Sequence, residues 1–289
     1  MMIPLGLKPW RLSLLMVAVL ALSACSPLSI LNTVIGEDDL AVQSGISYGP
    51  EARQKLDVYR PRLSGGPIPV VIFFYGGSWR GGERADYLFV AEALTSRGYI
   101  AVVPDYRTFP EVRFPAFVKD GAKAVRWVVD NITSLGGDPE RLYLTGHSAG
   151  GHIASMLTLD ERYLAAEGLD SHQLRGTIAL AGPHAFYPSR TANVAPIFAH
   201  LADENEARPL VYVDGDEAPL LLLHGDDDDT VFPFNTLNLS QAVVDAGGRA
   251  RHIIYPDIGH IEILFSLARP FRDLAPLLDD IAAFIDGQG

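Results

Sequence analysis

Leu142-Tyr143-Leu144-Thr145-Gly146-His147-Ser148-Ala149-Gly150-Gly151-His152-Ile153 is the stretch on which the reading of this chain turns. An apolar run, read as a strand from Arg141 to Thr145, passes into Gly-His-Ser-Ala-Gly and then into an apolar helical pattern that begins at Ile153. The pattern G-x-S-x-G between a strand and a helix predicts a turn so tight that the serine takes a strained backbone conformation and its neighbours must lack bulk. Glycines two residues before and two residues after Ser148 supply that space. The serine oxygen is then raised at the carboxyl edge of a sheet, and the unpaired N–H groups that open the helix face whatever negative charge develops there.

Working outward, strand-like and helix-like segments alternate. Val70 to Tyr75, Tyr99 to Val103, Thr177 to Ala181, Leu220 to His224 and His252 to Tyr255 read as buried strands. Leu88, Ala91 and Leu94 mark one helix face, Phe117, Gly121, Ala124 and Val128 another, and Leu274 to Ile285 a closing helix. Ile46-Ser47-Tyr48 and Lys55-Leu56-Asp57-Val58-Tyr59, parted by Gly49-Pro50, predict an antiparallel hairpin. Together they predict the α/β class, a mostly parallel sheet covered by helices on both faces. Residues 46–289 form this one domain; 182–216, which lacks a clear period, reads as a small cap with one or two short helices.

The chain has 289 residues, 48% of them apolar, enough for one large core. Its start stands apart. Lys8 and Arg11 precede the apolar run Leu12 to Leu22, which is too short to span a bilayer comfortably. Residues 1–24 read as a signal peptide, and Leu22-Ser23-Ala24-Cys25 resembles the lipobox of bacterial lipoproteins. That resemblance implies cleavage before Cys25 and lipidation of Cys25, with residues 25–45 as the lipidated cysteine and tether. Cys25 is the only cysteine, so no intramolecular disulfide is available. Two or three acyl chains would anchor the protein firmly to a membrane. Ser26 is not the aspartate that resembles an inner-membrane retention signal, which favours the periplasmic side of the outer membrane. Without Lys8 and Arg11, 35 acidic groups face 21 basic ones, a net charge of −14. This excludes nucleic acid as an electrostatic partner.

A serine hydroxyl becomes a nucleophile only beside a base, and the base needs an acid to fix its tautomer. In folds with this serine turn the acid follows a late strand and the histidine sits in the last loop. Leu220 to Gly225 runs into Asp226-Asp227-Asp228-Asp229, and Tyr255-Pro256-Asp257-Ile258-Gly259-His260 follows the next strand. Asp227, Asp228 and Asp229 compete for the acid. Among the eight histidines, His260 alone follows the last strand in a short loop, while His147 and His152 flank the serine and His224 precedes the acid loop. Tyr75-Gly76-Gly77-Ser78-Trp79 ends a strand in glycines, and the N–H groups of Gly77 and Ser78, with that of Ala149, make an oxyanion hole.

These residues resemble the α/β-hydrolase esterases, and within them the branch holding hormone-sensitive-lipase-like esterases, isoprenylcysteine methylesterases, kynurenine formamidases and feruloyl or acetylxylan esterases. The resemblance runs from about Ile46 to the C-terminus. It rests on Gly76-Gly77-Ser78-Trp79, Asp105-Tyr106-Arg107 with Phe109-Pro110, Gly136-Gly137-Asp138-Pro139, Gly146 to Gly151, and the acid and histidine loops. It implies the α/β-hydrolase fold and a carboxylesterase acting on a small ester through Ser148, His260 and an aspartate, with no metal or organic cofactor. The family's acid loop, H-G-x-x-D-x-x-V-P, selects Asp228 here through His224-Gly225 and Val231, although Phe232 intervenes before Pro233. Where the family often carries histidine, this chain has Tyr75, whose hydroxyl could brace the oxyanion loop instead. Tyr106 and Arg107 are expected to fix the loop beneath the pocket. An arylformamidase-type amidase would use the same groups, and a lipid-anchored binding module would keep the fold without the chemistry.

Overall fold

The computed structural model describes residue 32 and residues 40–62 and 66–287. The signal segment 1–24, Cys25 and the tether up to residue 39, apart from Asn32, lie outside the described residues. Eight strands form one sheet: β1 (Leu40–Ser47), β2 (Lys55–Pro61), β3 (Ile68–Phe74), β4 (Ile100–Pro104), β5 (Gly137–His147), β6 (Leu174–Leu180), β7 (Leu220–Gly225) and β8 (Ala250–Tyr255), in the spatial order β1-β2-β4-β3-β5-β6-β7-β8. β1 and β2 run antiparallel to each other, and β2 runs antiparallel to β4. From β4 to β8 every pairing is parallel.

Among the described residues, five helices have nine residues or more: α1 (Leu88–Ser96), α2 (Ala116–Asn131), α3 (Ala149–Leu159), α4 (Phe234–Asp245) and α5 (Leu277–Ile285). Successive side chains of a strand point to opposite faces, and β3 shows which helices lie on which side. Phe73 meets Tyr87 at the entrance to α1, whereas Phe74 lies against Gly121 of α2. Leu239 and Val243 of α4 join Leu159 of α3 in one cluster, and Arg97 at the end of α1 pairs with Asp279 of α5. The sheet is therefore covered on both faces, and Val70 to Phe74 are wholly buried. Burial on both sides is why these strands read as continuous apolar runs, each large side chain contributing about 1.5–3 kcal/mol.

One boundary differs from expectation. The chain joins the sheet at Leu40, inside the segment taken as tether and six residues before the predicted hairpin at Ile46. Gln43-Ser44-Gly45 interrupts the alternation and resembles loop sequence. A register shift between Gln43 and Ile46 absorbs the extra residue, and the Asp57 carboxylate accepts the Gly45 N–H at 2.7 Å. Earlier still, Asn32 donates to the carbonyl of Ala85 and accepts the N–H of Phe89. Residues 182–216 contain four helical turns, at Pro188–Arg190, Ala195–Phe198, Glu204–Ala207 and Pro209–Tyr212. None exceeds four residues, too short for a helical period to show in sequence. Among the described residues no helix is long and apolar enough to cross a membrane.

Candidate active site

Ser148 stands between the end of β5 and the start of α3, with φ 55° and ψ −120°. A non-glycine residue in that region stores roughly 1–3 kcal/mol and persists only where its surroundings enforce it. The surroundings are glycine-limited. A Cβ on Gly146 would lie 2.3 Å from the Gly150 carbonyl oxygen, and one on Gly150 only 1.9 Å from that of Phe74. Ser148 N–H donates to Leu180 O at 2.9 Å, tying the turn to β6. α3 behind it is buried along its whole length.

The structure brings Ser148, His260 and Asp228 into one chain of hydrogen bonds. The Ser148 hydroxyl lies 2.9 Å from His260 Nε2, and His260 Nδ1 lies 2.7 Å from Asp228 Oδ2. With Nδ1–H donating to the carboxylate, Nε2 is left as the acceptor for the hydroxyl proton. Asp227 and Asp229 are exposed, whereas Asp228 is buried. Its Oδ1 accepts the N–H groups of Thr230 and Val231 at 3.0 and 2.8 Å. Burial alone would raise the Asp228 pKa. Hydrogen bonds from His224, His260 and Val231 outweigh it and hold the carboxyl well below the usual carboxylate range.

Two further histidines hold this arrangement. His224 Nε2 lies 3.1 Å from Asp228 Oδ2 and 2.7 Å from Val231 O, while its Nδ1 faces the Thr236 hydroxyl at 2.8 Å. Two oxygen acceptors at Nε2 require that nitrogen to carry a proton. His147 donates from Nε2 to the backbone carbonyl of His260 at 2.8 Å, and burial, with His260 alongside, lowers its pKa to about 3, so it stays neutral. Sequence alone shows only that His147 flanks the serine and that His224 precedes the acid loop. His152 is also neutral, lowered by burial to about 4, and donates to Ala207 O across the cap.

The loop after β3 carries a second run of unusual backbone. Gly77, Ser78 and Trp79 all have positive φ, at 121°, 53° and 55°. Among the described residues the N–H groups of Gly77, Ser78 and Ala149 donate to no protein acceptor. Ser78 and Ala149 line the cavity beside Ser148; Gly77 is not in its wall. Tyr75 braces the loop through its hydroxyl, donating to Asp105 Oδ1 at 2.8 Å and accepting from Arg53 at 2.9 Å. Its ring stacks on Tyr87 and Tyr106, and Tyr106 donates to the Tyr75 carbonyl. Burial, then Asp105, pushes the Tyr75 pKa far up, so the phenol remains a donor. Arg84 pairs with Asp57 and Asp105, and Arg107 with buried Asp120.

In front of Ser148 lies a cavity of about 550 Å³. The cap supplies one wall through residues such as Phe186, Tyr187 and Val194, and the segment after Asp228 the other through Val231, Phe232 and Phe234. Trp79 forms part of its base, in ring contact with Phe186, Phe198, Phe117 and His152. No motif in the sequence marks the cap wall. Among the described residues no group of three or more His, Cys, Asp or Glu side chains is placed to hold a metal ion.

Residues 56–243 match the family model BD-FAE. A probable isoprenylcysteine alpha-carbonyl methylesterase, ICMEL1 of Arabidopsis thaliana, is 28% identical over 85% of this chain and 56% of its own length. The esterase LipQ of Mycobacterium tuberculosis is 30% identical over 86% of this chain and 63% of its own length. The chain thus spans about three fifths of these curated relatives. Among solved structures, a truncated carbohydrate esterase from gut microbiota superposes with TM-score 0.73 at 22% identity, covering 88% of this chain and 98% of that one. The hyperthermophilic esterase of Pyrobaculum calidifontis gives 0.72 at 23% identity, covering 90% of each chain. With its elbow serine, its mostly parallel eight-stranded sheet and this match over most of its sheet, the chain belongs to the BD-FAE family and has the α/β-hydrolase fold.

Proposed function

We propose that this chain is a serine carboxylesterase that hydrolyses small carboxylic esters through an acyl-enzyme. The observation that carries the reading is the hydrogen-bonded line from Ser148 through His260 to Asp228, opening on a mostly apolar cavity. Ser148 Oγ attacks the ester carbonyl carbon while His260 Nε2 takes its proton, and Asp228 steadies the imidazolium that forms. The N–H groups of Ser78 and Ala149, with Gly77 in support, receive the oxyanion; preorganised donors there are worth roughly 3 kcal/mol each. His260 then gives its proton to the departing alcohol. Water, deprotonated by the same imidazole, attacks the acyl-enzyme and releases the acid. The esterase relatives support the ester as substrate.

Replacing Ser148→Ala should lower turnover of p-nitrophenyl acetate by about 10⁴-fold or more, with an unchanged circular dichroism spectrum. Turnover within tenfold of the parent would sink the assignment.

We further propose that the protein is held in the cell envelope by lipid on Cys25, on the periplasmic side of the outer membrane. Support comes from the Leu22-Ser23-Ala24-Cys25 sequence behind a short apolar run, with Ser26 following. Cys25→Ser should move the protein from the membrane fraction to the soluble one; retention of the variant in the membrane fraction would refute the anchor.

A further inference from the structure

Among the described residues Arg190 is the only charged side chain in the cavity wall, in a chain whose net charge is −12. It belongs to the cap, at the end of the turn Pro188–Arg190, and is exposed at the mouth. Its guanidinium lies over the Tyr187 ring, 4.4 Å from the centroid. The same ring is met by the guanidinium of Arg208 at 4.0 Å, which is itself anchored to Asn205 Oδ1 and to the Ala185 carbonyl. Stacking of this kind leaves the in-plane N–H fork of an arginine free for a ligand. Among the described residues Arg190 makes no side-chain hydrogen bond and no ion pair. The Glu204 carboxylate, bonded to the Ser189 N–H at 3.0 Å, lies close enough to feel the charges of Arg190 and Arg208 but forms no ion pair with either. Arg80, a further cation near the cap, donates to the Asn193 carbonyl and, like Arg208, is not in the cavity wall.

The remainder of the wall is apolar or uncharged, with Phe186, Phe232 and Phe234 among its rings. A wall of that composition offers a neutral substrate no partner for the N–H groups of Arg190 at the mouth. We propose that the cavity receives an ester bearing a carboxylate, whose apolar body lies against these rings while Arg190 takes the anionic group in a forked contact. The proposal rests on the esterase reading above and adds the charge of its substrate. Arg190 and Ser148 share the cavity wall, and the chemistry recognised is the same whether the carboxylate sits on the acyl or the alcohol half of the ester.

The test compares kcat/KM for two matched pairs of esters in the full chain. Mono-4-nitrophenyl succinate against its methyl ester places the charge on the acyl half; 4-acetoxybenzoate against methyl 4-acetoxybenzoate places it on the alcohol half. In the parent protein and in Arg190→Gln, the charged-to-neutral ratio is taken within each pair, so intrinsic reactivity cancels. The ratio should fall about three- to tenfold in Arg190→Gln for one pair, and Arg190→Lys should keep most of it. Raising the salt from about 0.05 to about 0.5 M should lower the same ratio in the parent and leave that of Arg190→Gln unmoved, a readout independent of any change in folding. A ratio that Arg190→Gln and salt leave unchanged in both pairs overturns the proposal. If the folded parent hydrolyses none of the four esters, the esterase reading itself fails and the charge preference falls with it.

Discussion

Two regions meet at Ser148, and they are built differently. The elbow side comes from strand ends: β5 delivers Ser148, β7 leads to Asp228, and β8 leads to His260. Backbone lies so close there that Gly146, Gly150 and Gly225 admit no Cβ. The cap side is four short helical turns, positioned by ring contacts around Trp79 and by single hydrogen bonds such as His152 to Ala207 O. Strand ends in a parallel sheet are fixed by their neighbours, so the elbow can hold atoms to hydrogen-bond tolerance. The cap needs only to shape a wall. The difference implies that changes on the elbow side affect all substrates alike, whereas changes in the cap redistribute activity among them.

The sharpest way to break this contrast is Gly150→Ala. Its new methyl would sit on the Phe74 carbonyl, and backbone cannot retreat as a flexible side chain does. A loss of at least about 3 kcal/mol is expected, read as a fall in the urea midpoint or as insoluble expression. A variant as stable as the parent would show that the elbow is looser than described.

Next in size is His224→Ala. Asp228 would keep His260 and two backbone N–H groups but lose one charge-assisted hydrogen bond, and the Thr236 hydroxyl would lose its partner. A fall in kcat of about ten- to a hundredfold with little change in KM is expected, equal across short and long acyl esters. Partial recovery in His224→Gln, which can still donate to the carboxylate, would mark the loss as one of positioning; a change confined to KM would place His224 on the cap's side of the contrast.

The last effect concerns acid. His147 serves the elbow and His152 the cap, and both are held neutral by burial, at about 3 and about 4, against about 6.5 in an unfolded chain. Because the folded values are the lower ones, the unfolded state binds more protons below pH 6.5. Stability is therefore full above that pH and falls as pH drops toward 4, by about 2 kcal/mol for each group at pH 5. Urea unfolding at pH 7.5 and pH 5 measures the loss, and His152→Gln should remove about half of it. An equal loss in the variant would show that His152 does not contribute.

What the sequence disclosed follows the same divide. Ser148, its flanking glycines and His260 were legible because a strained turn and a chain order leave residue-type signatures. Asp228 was singled out among four aspartates only through the spacing from His224-Gly225 to Val231; burial then separates it from Asp227 and Asp229. The role of His224 was hidden, since a histidine at a strand end looks alike whether it packs or holds a carboxylate. β1 escaped because a bulge at Gln43-Ser44-Gly45 breaks the alternation that announces strands. The cap wall escaped for a deeper reason: turns of three or four residues have no period, and the rings they bring together are far apart in the chain.

The central claim is that Ser148 forms a covalent bond with an acyl-like electrophile under the direction of His260. Intact-mass measurement after exposure to a fluorophosphonate, followed by peptide mapping, tests it most directly. One adduct per chain is expected, on the peptide containing Ser148, absent in Ser148→Ala and formed at least about a hundredfold more slowly in His260→Ala. No adduct in the folded protein, or an adduct on another residue, would contradict the account.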